Sequence, residues 1–144
     1  MNQKSLLISF LLVSLVGFGV GYILTNSYDW KICLANIETN TFDVSCHISY
    51  ENIGNPLFYG MGALATVFIL LLFIPQAFVA WKKFAVWFVP LATLLFIFYP
   101  DPGSGDFFSP YPEQIFQWIS GFYILASIAI IAIASLRKTI RSQT

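Results

Sequence analysis

Apolar residues run almost unbroken through four stretches of the chain, at 6–24, 57–81, 84–100 and 115–136, and none of these holds an Asp, Glu, Lys, Arg or His. A helix rises about 1.5 Å per residue, so the runs reach roughly 25 to 38 Å against a hydrocarbon core of about 30 Å. Each can cross a bilayer, the third with help from its flanking aromatics. Between Lys31 and Ile48 the pattern changes. Apolar and polar side chains alternate there for most of the way, as in a half-buried strand pair. The expectation is an all-α integral membrane protein. It is a four-span helical bundle forming one membrane domain over 1–144, with connections at 25–56, 82–83 and 101–114 and a small β-hairpin in the first.

Composition removes the competing classes. The chain has 144 residues, 58% hydrophobic and 10% charged, where a soluble domain carries roughly 25% charge. Too few polar side chains remain to wrap a soluble core, and disorder requires the opposite balance. The 6–24 run is long for the core of a signal peptide. The residues around its end, Gly21 to Ser27, offer no small-x-small cleavage site, so an anchor is expected.

The zero net charge hides a sorting. Lys4, Lys82, Lys83, Arg137, Lys138 and Arg141 lie at 1–5, 82–83 and 137–144, with no acid among them. All seven acids (Asp29, Glu38, Asp43, Glu51, Asp101, Asp106 and Glu113) lie in the other two connections, joined only by Lys31. Short cationic loops stay in the cytoplasm. Both termini are therefore expected inside the cell, in an N-in/C-in arrangement in the cell membrane, with 25–56 and 101–114 facing out.

Cys33 and Cys46 both fall in the first outward connection, where disulfides persist. If Thr39-Asn40 is a two-residue turn, the two cysteines oppose each other at a non-hydrogen-bonded site, at a separation that suits a disulfide. The hairpin is then disulfide-braced, and His47 points away from Cys46. Redox work is the rival use. The four-helix quinone-linked disulfide oxidoreductases carry a Cys-x-x-Cys and further outward cysteines, which this chain lacks, so a structural bridge is expected.

Within the spans, Gly17 and Gly21 form a GxxxG pair, and Gly60 with Gly62 repeats the small-residue style, as do Ala126, Ala129 and Ala132. These are the expected helix-packing residues. Pro75 and Pro90 should kink their helices. Gln76 and Thr93 are the candidates for a polar pathway, and Trp30, His47, Phe107, Phe108 and Tyr111 for a partner surface. The sequence offers no metal-ligand cluster, phosphate-binding loop, nucleophile–base pair or basic nucleic-acid patch. Its spans carry no ionisable group of the kind that marks coupled transport. The expected function is non-enzymatic, without cofactor, metal or nucleic acid. The chain would act as a subunit, scaffold or assembly factor in contact with the lipid bilayer and with other membrane protein subunits or copies of itself. An oligomeric channel or facilitator is the second reading and a membrane thiol–disulfide oxidoreductase the third.

Overall fold

The computed structural model describes residues 3–36, 41–98 and 111–141. Four helices account for nearly all of them: α1 (Gln3–Thr25), α2 (Val44–Phe73), α3 (Phe78–Phe98) and α4 (Pro112–Arg141). All four are long and apolar enough to cross a membrane. They pack in the spatial order α1, α2, α4, α3, with α1 on α2 the tightest pair.

Two helix boundaries differ from the sequence expectation. The turn between α2 and α3 lies at Pro75–Ala77, not at 82–83. Pro75 lacks an amide hydrogen and its ring clashes with the carbonyl one turn back, which ends a helix as readily as it kinks one. Ile74 before it is pushed out of the helical region (φ −125°, ψ 64°). Pro75 therefore closes α2, and Lys82 and Lys83 belong to the opening turns of α3. The side-chain amide of Gln3 donates to the Pro75 carbonyl at 2.8 Å, tying the start of α1 to this turn. Pro90 does lie inside its helix, as expected.

The second difference is the start of α2. Residues 44–56 continue α2 rather than forming connection and strand. Asp43 is its N-cap and accepts from the amides of Ser45 (3.0 Å) and Cys46 (3.2 Å), satisfying donors that a helix start leaves open. The strand pairing that remains is short, with β1 (Leu34–Asn36) antiparallel to β2 (Thr41–Phe42) in a register of Leu34 to Phe42 and Asn36 to Thr41. The hairpin that would have carried Cys33 and Cys46 as facing strand residues is not formed, because Cys46 sits in the first turn of α2. The Thr39-Asn40 turn lies outside the described residues.

The core is a seam between helices. Leu7 from α1, Val67, Phe68 and Leu71 from α2, Trp81 and Ala85 from α3, and Tyr123 and Ile131 from α4 are all buried in it. On α4 the buried positions are Phe116, Ser120, Tyr123, Ser127 and Ile131, the three- and four-residue spacing of one helical face. Ala129 and Ala132 lie on the exposed side, so they are not the packing stripe the sequence suggested. Trp81 Nε1 donates to Ser127 Oγ at 3.3 Å and its ring meets Phe68 edge-on, which gives the indole both a partner and a packing surface.

Candidate functional site at the α1–α2 end

Three separate devices hold α1 to the start of α2. The first is backbone proximity. A Cβ placed on Gly21 would lie 2.5 Å from the Phe58 amide nitrogen, and one on Gly54 would lie 2.6 Å from that of Thr25. Only glycine allows the two helices to come so near. Gly17 faces the Met61 side chain and Gly62 the Phe18 ring, while Gly60 faces Phe96 of α3. All four glycines expected to serve packing therefore contact this protein's own helices. Phe18 and Phe58 stack with ring centroids 4.7 Å apart and seal the seam.

The second device is the disulfide. Cys33 and Cys46 are bonded, with Cα atoms 5.7 Å apart. The chain reaches Cys33 through a compact turn in which Lys31 adopts a left-handed conformation (φ 54°) and the Ile32 amide donates to the Ser27 carbonyl at 3.0 Å. Across the bridge, the Asp43 amide donates to the Cys33 carbonyl at 2.9 Å, so the strand end and the helix cap are tied twice. The Ser45 hydroxyl and then the Cys46 amide hold the Asp43 carboxyl below its ordinary range. Because the folded state lowers this pKa, the cap contributes fully above the ordinary carboxylate value and weakens as pH falls through the lowered one.

The third device is a polar ladder that sequence reasoning missed. Ser27 Oγ and His47 Nδ1 lie 2.6 Å apart. His47 Nε2 lies 3.7 Å from Glu51, Asn55 Nδ2 donates to Glu51 at 3.5 Å, and Thr25 Oγ1 donates to Asn55 Oδ1 at 3.3 Å. The Tyr28 ring packs on the imidazole with centroids 4.0 Å apart. His47, Glu51 and Asn55 follow a four-residue spacing, the signal of a single helical face, which the strand assignment of this segment concealed.

The ladder places a serine, a histidine and a carboxylate in one line, although the sequence had shown no nucleophile–base pair. Ser27 is fully buried, at 0% exposure. The ladder joins the end of α1 to the start of α2 as a clasp. The clasp predicts an asymmetry. His47→Ala leaves the Ser27 hydroxyl buried without a partner and should cost about 1 to 3 kcal/mol. Ser27→Ala leaves a half-buried imidazole that reaches water and should cost less. Thermal unfolding in one detergent compares the two directly, and equal losses would contradict the clasp.

The remaining expected residues are scattered. Trp30 is exposed beside the turn, and Tyr111 is exposed just ahead of α4. Phe107 and Phe108 lie outside the described residues. His47 faces Ser27 and Glu51 in the clasp. Gln76 lies in the α2–α3 turn, whereas Thr93 is fifteen residues beyond the start of α3, roughly 22 Å along it. Thr93 Oγ1 donates to its own helix at Val89 and lines a crevice between α2, α3 and α4. A second polar cluster joins α2 to α4, where Tyr59 donates to Glu113 at 2.7 Å and Gln117 donates to Tyr59 at 2.9 Å. No family model matches the chain, and no curated protein or solved structure matches it at a significant level.

Proposed function

We propose that the chain is a small four-pass protein of the cell membrane with both termini cytoplasmic. It works without catalysis, as a subunit, scaffold or assembly factor that binds other membrane proteins. The observation that carries this reading is the character of the α1–α2 end, which is braced and yet carries large apolar groups on its outside among polar ones. Trp30, Ile32, Val44 and Ile48 are all exposed there, around the disulfide and the clasp. α2 has 30 residues and so a length of about 45 Å, which carries its first turns beyond a hydrocarbon core of about 30 Å. Those turns, with the Asp43 cap before them and Glu51 within them, belong in the aqueous phase. Exposed aromatic and aliphatic groups on a preorganised support suit a protein partner, because little conformational freedom is lost on docking.

Extraction of the full chain from native membranes in a mild detergent, followed by mass measurement of the intact assembly, tests this. The expected result is a stoichiometric partner or a defined homo-oligomer. Replacing both Val44 and Ile48 with Asp should release the partner while leaving the unfolding temperature unchanged. A strictly monomeric wild-type protein would overturn the proposal. Orientation is read separately from a reporter fused after Thr144, which should be active on the cytoplasmic side only.

A further inference from the structure

Because the chain reverses at Pro75–Ala77, Lys82 and Lys83 stand inside the length of α3 and not at the end of the bundle. Three helices carry charge-free stretches that match a hydrocarbon core of about 30 Å: 5–25 in α1, 52–73 in α2 and 114–136 in α4, roughly 31 to 35 Å each. In α3 the stretch beyond Lys83 runs only from Phe84 to Phe98, about 22 Å, and so falls about 8 Å short. Any tilt of α3 enlarges the shortfall.

Measured from the other end, the height is the same. Gln3 bonds to the Pro75 carbonyl, so Lys4 stands level with the turn. Lys82 and Lys83 come seven and eight residues after Pro75, about 10 to 12 Å further in. The bond from Trp81 to Ser127 sets them beside a part of α4 that lies ten residues, about 15 Å, inward of Arg137. Both lysines are exposed on the outside of the bundle, whereas Ala77, Phe78 and Trp81 are buried. Among the described residues no carboxylate lies at this end of the helices. A cation facing lipid at such a depth is costly unless it reaches polar groups. Helical side chains lean toward the N-terminus, which for α3 is the Pro75 end, so the long lysine stems cover part of the distance and the headgroups must come the rest. Trp87, one turn beyond Lys83 on the same face, is 82% exposed. About 18 Å beyond Pro75, it would stand near the middle of a core of uniform thickness. An outward tryptophan belongs instead where headgroups give way to hydrocarbon.

We propose that Lys82, Lys83 and Trp87 form a site on the outer face of α3 for the headgroup of an anionic phospholipid, drawn inward so that the bilayer is thinner along α3 than around the other helices. The two ammonium groups donate to the phosphate, and Trp87 packs one turn deeper, at the level of the glycerol esters. Charge selects the ligand. Two adjacent cations, without a neighbouring acid among the described residues, favour a lipid of net negative charge over a zwitterionic one. The site rests on the chain's crossing the bilayer, as proposed above, and on neither the partner nor the side on which the termini lie.

Depth measured on the full chain tests this. The two cysteines are bonded to each other, so a cysteine placed at Val86 or at Val13, both exposed, is the one thiol that takes a nitroxide label. Val86 lies one turn beyond Lys82, and Val13 near the middle of α1. In vesicles of equal parts phosphatidylcholine and phosphatidylglycerol, collisions with oxygen and with a water-soluble nickel complex give the depth of each label. The Val13 label should lie in mid-core, and the Val86 label within about 6 Å of the headgroups, roughly one helical turn. Lys82→Leu together with Lys83→Leu should sink the Val86 label by about 8 Å, the shortfall in α3, and leave the Val13 label where it was. On mild detergent extraction the protein should retain phosphatidylglycerol over phosphatidylcholine by at least about fivefold, the factor that one lysine near an anionic surface supplies, and the double variant should lose this preference. With the Val13 label in the core, a Val86 label equally deep in the protein with both lysines overturns the proposal. Equal retention of the two lipids does the same, as does a depth unmoved by the double substitution. A Val13 label in water overturns the membrane reading and this site with it. The protein with both lysines decides the question even if the double variant fails to fold.

Discussion

Gly21→Ala should cost this protein about 3 kcal/mol or more, because the added methyl group meets backbone and not a side chain that can swing away. Its Cβ would fall 2.5 Å from the Phe58 nitrogen and 2.8 Å from the Phe58 Cα. Relief requires α1 and α2 to separate along their seam, which also pulls apart the stacked Phe18 and Phe58 rings. Gly54→Ala should be as damaging, with Thr25 backbone at 2.6 Å. The same substitution elsewhere supplies the controls. At Gly17 the nearest atoms belong to the flexible Met61 side chain, so the loss should be smaller. At Gly19 and Gly121 nothing lies within 4 Å, and alanine should stabilise these helices by about 0.5 to 1 kcal/mol through its better propensity. Unfolding of the five variants in mixed micelles, followed by loss of helicity, gives the ranking. If Gly21→Ala unfolds alongside Gly19→Ala, the close crossing of α1 on α2 is wrong.

That ranking also shows how far the chain could be read before its structure. The spacing of Gly17 and Gly21 marks a face that invites a neighbouring backbone, and charge-free runs locate the four helices. Neither says which helix the neighbour is. Helix ends were harder, for a physical reason. In an apolar run a proline is compatible with both a kink and a stop, and the nearby lysine pair drew the turn to 82–83 when the chain had already reversed at Pro75. The start of α2 was obscured by a local coincidence. Alternating apolar and polar positions at 41–47 imitate a strand, while Asp43 as a helix cap followed by His47, Glu51 and Asn55 at four-residue steps describes the helix that forms. The two patterns compete over a short window, and the cap's hydrogen bonds to Ser45 and Cys46 decide between them. The clasp partner Ser27 was beyond reach of sequence spacing, since it lies twenty residues from His47 and meets it only because the glycines bring α1 against α2.

The second large effect concerns the Cys33–Cys46 pair. Replacing both with serine should lower stability by about 3 kcal/mol, the value expected when a loop of this size is released in the unfolded chain. The pair closes a separation of 13 residues and anchors the first turn of α2 to the end of the turn that follows α1. Its loss should therefore be felt locally first. The amides of Ser45 and Cys46 at the α2 cap should exchange with solvent much faster, while the deeper seam around Val67 and Leu71 holds until global unfolding. Cys33 is nearly inaccessible at 2% exposure, so a bulky reductant should act on the folded protein slowly, and faster once Gly21→Ala has loosened the seam. The same double variant separates a brace from a redox couple. A brace loses stability, and whatever activity survives in the folded fraction is unchanged per molecule. A couple that exchanges electrons with other thiols loses its activity outright while unfolding at the wild-type temperature. Measuring both quantities on one preparation distinguishes them, and an unchanged unfolding temperature would remove the structural role assigned to this bridge.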